Sequence, residues 1–312
     1  MLRIYNRTWL ASALASAFAT AVTCGCSSSK PAVAAQTVSI GPSAAPVGAI
    51  ADPPIGLVNG VHRGFDRNGY PGDATMQTLH GTFAFTGYWL TPPPGERSNA
   101  WVGKRDTLRQ QGWGFLLLAN GRFDKEIVKA QKAGTTPAQF GQQDAAVAIA
   151  AAKSEGFPQH AIIFLDQEEG GRLLDEQAEY LLGWTEAVAA SDYKPGVYAS
   201  GQLVPDGPGK TIDTVQHIRS LVNEKHLHQV AIYDYQDACP PAPGCTLNAK
   251  PLSEAGEPDI VIWQYSQSPR RPEITKACAK TYAANGSCYA PSAPSVAIDF
   301  DAAATADPSN GR

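Results

Sequence analysis

The sequence lacks the short motifs of three large enzyme classes. It contains no H-E-x-x-H, no P-loop G-x-x-x-x-G-K-[ST] and no G-x-S-x-G. These motifs supply the zinc ligands of metalloproteases, the phosphate cradle of NTPases and the nucleophile of many serine hydrolases. The sequence therefore predicts none of these three activities.

An excess of positive charge is also missing. The 312 residues carry 25 Lys and Arg against 29 Asp and Glu, which gives a formal charge of −4 and a pI near 5.9. No basic stripe is present to attract a phosphate backbone, so we expect no nucleic-acid partner. The cysteines show no C-x-x-C spacing, which disfavours zinc, and we predict no metal and no cofactor.

The N-terminus has the form of an export signal. Two arginines precede an apolar run of signal-peptide length, which is too short to span a bilayer comfortably. Cys26, followed by three serines, resembles the lipidated cysteine of a bacterial lipoprotein, and Cys24 is a second candidate. The alternative is simple secretion with cleavage near Ala21. We expect residues 1–25 to be a lipoprotein-type signal peptide, and the protein to be exported and membrane-anchored in the bacterial envelope, periplasmic or at the cell surface.

Two further features depend on this export. Residues 26–60 are rich in Ser, Ala, Pro and Gly and show no apolar period, which predicts a flexible tether. Four cysteines follow in two sequence-local pairs, and pairs of this kind usually close in an oxidising compartment. We therefore predict the disulfides Cys239–Cys245 and Cys278–Cys288.

Short apolar runs alternate with helical patterns from residue 61 onward. The runs cover residues 61–66, 83–90, 113–119, 161–166, 196–200, 229–235, 259–265 and 295–301. This alternation is typical of βα units around a parallel sheet, and roughly 30 residues per unit fits a single (β/α)8 TIM barrel. An open doubly wound sheet is the alternative, although the first strand is not followed by G-x-G-x-x-G. We predict the barrel over residues 61–303 and a disordered tail over 304–312.

Polar and aromatic residues collect at the ends of these runs. Active sites of such barrels lie at the C-terminal ends of the strands, so these residues are candidates for a site. They are Asp66, Trp89, Asn120, Asp166, Glu168, Tyr198, Asp234, Gln264, Tyr265, Asp299 and Asp301.

The fourth run carries the most informative spacing. In FLDQEE, Asp166 and Glu168 are two residues apart, so both lie on one side of the strand, roughly 6.6 Å apart along it. Two acids that share a site tend to leave one carboxyl protonated and one ionised, which is what glycoside hydrolysis requires. The alternative is that Asp166 or Glu169 caps the following helix and that Glu168 is merely solvated.

Five motifs in order resemble a known family. They are GFD at 64–66, LDQE at 165–168, GVYAS at 196–200, WQY at 263–265 and IDFD at 298–301. The set resembles the glycoside-hydrolase-like barrels of bacterial cell-surface proteins, a group long catalogued as a domain of unknown function. That group is similar to the glycoside hydrolase family 25 lysozymes, which cleave the β-1,4 bond after N-acetylmuramic acid. The similarity covers residues 61–303.

The resemblance implies roles for the acids. Glu168 would be the proton donor, with Asp166, Asp66 and Asp299 as its supporting carboxylates. Asp301 stands where the lysozymes usually have asparagine and is assigned no role.

Aromatic and amide side chains at the same rim are expected to bind the sugar rings. Aromatic faces commonly line glycan grooves, although an aromatic on a barrel strand is more often part of the core. The predicted substrate-binding residues are Trp89, Tyr198, Asp234, Gln264 and Tyr265.

Three functional hypotheses follow. The first is a monomeric cell-envelope glycosidase of the lysozyme type that hydrolyses or binds peptidoglycan or a related surface glycan, with Glu168 as general acid. The second is a non-catalytic glycan-binding or scaffold lipoprotein that keeps the pocket. The third is a barrel phosphodiesterase, which would depend on a metal.

Overall fold

A computed structural model describes residues 55–312 of the chain. The predicted signal peptide, the lipidation candidate Cys26 and the tether as far as residue 54 lie outside the described residues. Residues 55–60, predicted as the end of the tether, belong to the folded body, because Leu57–Val58 pairs with the start of the first barrel strand. In the part of the chain that the structure describes, no helix is both long enough and apolar enough to cross a membrane.

Eight strands close into a barrel, as the sequence predicted. Each pairs with the next one along the chain, and the last pairs with the first. The strands are β1 (Val61–Asp66), β2 (Phe85–Trp89), β3 (Gly114–Asn120), β4 (Ile162–Asp166), β5 (Lys194–Ser200), β6 (Ala231–Tyr235), β7 (Ile262–Ser266) and β8 (Asp299–Ala303). All eight overlap the predicted apolar runs.

Helices cover the outside of the barrel. Between residue 55 and the C-terminus they are α1 (Asp73–His80), α2 (Arg105–Gln111), α3 (Asp124–Lys132), α4 (Pro137–Ser154), α5 (Asp175–Ala189), α6 (Thr214–Glu224) and the single turn α7 (Pro272–Thr275). Outward strand residues such as Phe65, Tyr88 and Phe115 are fully buried in the hydrophobic core. The smaller elements are the ribbons Val204–Pro205 with Thr211–Ile212 and Tyr289–Ala290 with Ala293–Ala297, and 3₁₀ turns at Leu252–Glu254 and Lys276–Thr281.

The last strand departs from the predicted (β/α)8 pattern. β8 runs antiparallel to both β1 and β7. A parallel strand would need a crossover that returns to the bottom of the barrel. Residues 267–298 instead start and end at the mouth, so the chain enters β8 from above. Asp299 therefore lies at the mouth because it begins the strand, not because it ends one.

The predicted disordered tail is wrong. Ser309 is fully buried between β3 and β4 at the bottom of the barrel. Its carbonyl oxygen accepts from Ile162 N at 2.8 Å, its N–H donates to Phe115 O at 2.9 Å, and its Oγ accepts from Leu117 N at 2.9 Å. Because β8 runs from the mouth toward the bottom, the chain leaves the barrel at the bottom. There this polar segment forms hydrogen bonds with backbone N–H and C=O groups of β3 and β4.

The predicted disulfide pairing is also wrong. The bonds are Cys239–Cys278 and Cys245–Cys288, with Cα atoms 5.7 and 5.3 Å apart. Each bond joins the β6–β7 loop to the β7–β8 loop, which are neighbours at the mouth. Pairing by proximity in sequence failed because the two loops pack against each other rather than each folding on itself.

Candidate active site

One pocket at the mouth of the barrel gathers most of the residues predicted for the site. It encloses about 350 Å³. Its lining consists of Asp66, Asn68, Trp89, Leu118, Asp166, Glu168, Tyr198, Tyr233, Gln264, Gln267 and Asp299. The structure therefore brings together all four predicted catalytic acids and three of the five predicted substrate-binding residues.

Strand alternation places these side chains on the inside. Asp66 of β1 pairs with Asp299 of β8, and Asp166 of β4 pairs with Tyr198 of β5. Side chains two residues apart lie on the same side of a strand. Glu168 follows Asp166 at that spacing and lines the same pocket.

Asp66 is held by two hydrogen-bond donors. Its Oδ2 accepts from the Tyr233 hydroxyl at 2.7 Å and from Gln264 Nε2 at 2.8 Å. Tyr198 donates to Gln264 Oε1 at 2.9 Å, which fixes the orientation of that amide. Gly87 leaves room beside the acid, since a Cβ there would lie 2.7 Å from the Asp66 Cβ. These contacts hold Asp66 in one rotamer at the mouth.

Asp166 and Glu168 form a coupled pair. Burial raises the pKa of Asp166 well above its usual range, and the charges of Glu168 and Asp66 raise it further. Glu168 is the more exposed member, and partial burial followed by the charge of Asp66 raises its pKa, whereas the Arg271 guanidinium lowers it. Two carboxyls that repel each other as anions retain a shared proton to higher pH than an isolated acid. The pair is therefore a proton source inside the pocket.

Asp299 is also fixed in place. It accepts a hydrogen bond from the Ser268 N–H, which lowers its pKa, but burial and then the charge of Asp66 leave the pKa raised well above the usual value. Across residues 55–312, no group of three or more His, Cys, Asp or Glu side chains is placed to hold a metal ion.

Asp234 and Tyr265 do not reach the pocket, and their predicted substrate-binding roles are wrong. Strand alternation turns Tyr233 and Gln264 inward and the residues that follow them outward. Asp234 is fully buried on the outer side of β6. Its carboxyl packs so closely against Gly201 that a Cβ there would lie 2.3 Å from Oδ1. Tyr265 is likewise fully buried, and its hydroxyl donates to Thr246 O at 3.0 Å.

The sequence analysis missed several residues of the mouth. Asn68, Gln267 and Arg271 come from loops, where no period indicates orientation. Arg271 lies over the ring of Tyr235, 4.3 Å from its centroid, and pairs with Asp237 at 3.2 Å. Tyr233 could have been found from strand alternation. In AIYDY the side chains of Tyr233 and Tyr235 lie on one side of the strand and that of Asp234 lies on the other, so Tyr233 and Asp234 cannot both face the pocket.

Glu168 and Asp166 also form the wall of a second, smaller pocket. This depression, which has room for about 10 Å³, or one water molecule, is lined by Asn120, Gly121, Arg122 and Phe123 in addition to the two acids. The coupled pair therefore stands between two adjoining depressions.

A comparison with protein families agrees with this geometry. Residues 91–239 match the model of the Rv2525c-like, glycoside hydrolase-like domain. The matched segment contains β3 to β6, and so holds Asp166, Glu168 and Tyr198. The resemblance to the glycoside hydrolase-like domain that the sequence motifs predicted is therefore confirmed over these residues.

Three solved structures are similar to this chain, one of them closely enough to show a common fold. The crystal structure of an uncharacterised protein of B. stearothermophilus covers 77% of this chain and 95% of its own, at 20% identity and a TM-score of 0.51, which shows a common fold. The Mycobacterium tuberculosis Tat-secreted protein Rv2525c gives 77% and 93% coverage, 13% identity and a TM-score of 0.44. The catalytic domain of endolysin ply40 from bacteriophage P40 of Listeria monocytogenes gives 77% and 92%, 12% identity and 0.39. No curated protein sequence matches this chain.

Proposed function

We propose that this protein is a cell-envelope glycoside hydrolase that cleaves peptidoglycan or a closely related glycan, with Glu168 as the general acid. The observation that carries the proposal is the convergence of four carboxyls, those of Asp66, Asp166, Glu168 and Asp299, in one pocket at the mouth of the barrel. Glycoside hydrolysis needs one protonated carboxyl near the leaving oxygen and one ionised carboxylate near the anomeric carbon.

The roles of the acids follow from their surroundings. Glu168 is the exposed member of the coupled pair, and its raised pKa favours the protonated form that a donor requires. In its ionised form Asp166 stabilises the positive charge that develops on the sugar ring, while Glu168 gives its own proton to the leaving oxygen and becomes the carboxylate. Burial raises the pKa of Asp66, and the hydrogen bonds from Tyr233 and Gln264 oppose that rise; in its ionised form Asp66 is a fixed carboxylate for the attacking water or for the charged ring.

Polar groups rather than a wide aromatic platform would bind the sugar. Trp89 and Tyr198 line the pocket but are only 4% and 7% exposed. Their rings therefore supply apolar walls, while Asn68 and Gln267 are placed to hydrogen-bond ring hydroxyls.

The envelope location is part of the proposal. Two disulfides are typical of proteins that fold in an oxidising compartment. We infer that the protein is exported as a monomer and is held on the membrane by a lipid at Cys26, within reach of the glycan.

The test is release of soluble fragments from purified sacculi by the mature chain, together with a pull-down on the same sacculi. Wild type is expected to release fragments, and Glu168→Gln is expected to bind without releasing them. Glu179→Gln, an exposed glutamate on α5, is the matched control and is expected to behave as wild type. Binding without release by all three proteins would instead indicate a glycan-binding module, and absence of binding would exclude peptidoglycan as the ligand.

A further inference from the structure

A hydrogen count below the pocket shows that one buried carboxyl carries a proton. The Tyr233 hydroxyl oxygen lies 2.7 Å from Asp66 Oδ2 and 2.8 Å from Asp301 Oδ1. Each of these distances requires a hydrogen between the two oxygens. A tyrosine hydroxyl has one hydrogen and an ionised carboxylate has none. The second hydrogen must therefore belong to Asp66 or to Asp301.

The contacts of the two acids decide which of them holds it. Asp66 Oδ2 receives a further hydrogen bond from Gln264 Nε2, which favours its ionised form. Asp301 is 0% exposed, and its Oδ2 has no hydrogen-bond partner among the described residues. An ionised carboxylate buried with a bare oxygen is far more costly than a neutral acid. The proton therefore belongs on Asp301.

We propose that Asp301 is a permanently protonated positioning residue, which donates to Tyr233 so that Tyr233 directs its own hydrogen at Asp66. The three residues form a line from the barrel interior to the mouth. The direction of the hydrogen bonds along it favours the ionised form of Asp66, against the burial that raises its pKa, and holds the side chain in place. Only this last consequence, the use of Asp66 by the enzyme, rests on the proposed glycosidase function.

The surroundings of Asp301 agree with a neutral acid. Asp66 on β1, Tyr233 on β6 and Asp299 on β8 are the titratable groups that act on it, and burial followed by the charge of Asp66 raises its pKa well above the usual value. From β7 come the amide of Gln264 and, on the outer side of the strand, Tyr265. By strand alternation β1 also points His62 toward the interior, but burial and Arg312 lower the pKa of that imidazole and keep it uncharged.

The variants follow from this assignment. Asp301→Asn keeps a donor for Tyr233 and removes the ionisable group, whereas Asp301→Leu removes both. Asp301→Asn is expected to keep most of the sacculus-hydrolysing rate. Asp301→Leu removes a hydrogen bond between two neutral groups and is expected to lose about twofold to tenfold in kcat, with little change in KM.

Two measurements on the mature protein need no substrate. In carbon NMR of aspartate carboxyls, the signal that disappears in Asp301→Asn is expected to stay at the protonated position from pH 4 to pH 7. In denaturant unfolding, the unfolded chain releases this proton near its ordinary pKa of about 4, and the folded chain does not. Wild type therefore loses stability relative to Asp301→Asn as pH rises above 4, by about tenfold in the unfolding constant per pH unit.

The outcomes separate this proposal from the glycosidase proposal. Two results would overturn the assignment of the proton even if the enzyme is active. One is an Asp301 carboxyl signal that titrates near pH 4, and the other is a ratio of the wild-type to the Asp301→Asn unfolding constant that is independent of pH. A protonated Asp301 in a protein that releases no fragments would leave the assignment standing and refute the hydrolase. If Asp301→Leu does not fold, the comparison of wild type with Asp301→Asn still shows whether Asp301 carries the proton.

Discussion

Replacing Tyr233 by phenylalanine should change the pH dependence of the enzyme in a defined direction. The substitution removes one of the two donors that hold Asp66 and leaves Gln264 as the other. A hydrogen bond to a charged group contributes about 1.5–3 kcal/mol, and 1.36 kcal/mol corresponds to about one pKa unit. Loss of the hydroxyl removes this contribution and therefore raises the pKa of Asp66 further above its usual value.

The sign of the effect on activity follows from the role of Asp66. The ionised form is the active one, so kcat/KM rises as pH increases through its pKa. A higher pKa moves this acidic limb of the profile to higher pH, while the alkaline limb, which reports the general acid, stays in place. The assay is hydrolysis of labelled sacculi by the mature enzyme at half-unit pH intervals.

The matched control is Tyr235→Phe, which deletes the same hydroxyl two residues along the inward side of β6. Its hydroxyl donates to Gln267 at 3.0 Å and not to Asp66. The control is expected to leave the acidic limb unchanged. An unchanged acidic limb in Tyr233→Phe, or an equal shift in both variants, would refute the argument that the Tyr233 hydrogen bond sets the ionisation of Asp66.

Three other predictions concern the mouth, the base and the crosslinks. Arg271→Met removes the cation that lowers the pKa of the general acid, so the alkaline limb of the activity profile is expected to move to higher pH, and Arg271→Lys should restore it. Ser309→Ala leaves the buried Leu117 N–H without its acceptor and is expected to cost about 1–3 kcal/mol in the free energy of unfolding by urea titration, whereas no loss would contradict the packed tail. A non-reducing peptide map is expected to join Cys239 to Cys278, and a link within either loop would contradict the fold of the mouth.

The barrel and the four acids could be predicted because they depend on local patterns. Nearly continuous apolar runs indicate strands that are buried on both sides, and a two-residue spacing puts Asp166 and Glu168 on one side. The same rule predicts the inward position of Gln264. Applied to Asp234 and Tyr265, the same rule would have excluded both from the pocket. These two errors arose because residues were chosen for their position at the end of a strand, without asking which side of the strand they face.

The remaining errors concern contacts between distant segments. The direction of β8 depends on where residues 267–298 pack, and this segment has no crossover helix to indicate its path. The disulfides join two mouth loops across sequence separations of 39 and 43 residues, so distance along the chain gave the wrong partners. Ser309 satisfies backbone groups of β3 and β4, although its segment has the polar composition of a free tail.

The central claim is that the protein hydrolyses a glycosidic bond. It is tested most directly by following the oxygen atom of water into the product. Sacculi are digested in ¹⁸O-labelled water with wild type and with Glu168→Gln, and the ends of the released fragments are analysed by mass spectrometry. The account predicts one ¹⁸O at each new reducing end with wild type, and no release with Glu168→Gln. Fragments that end in an anhydro sugar without ¹⁸O, or equal release by both proteins, would contradict it.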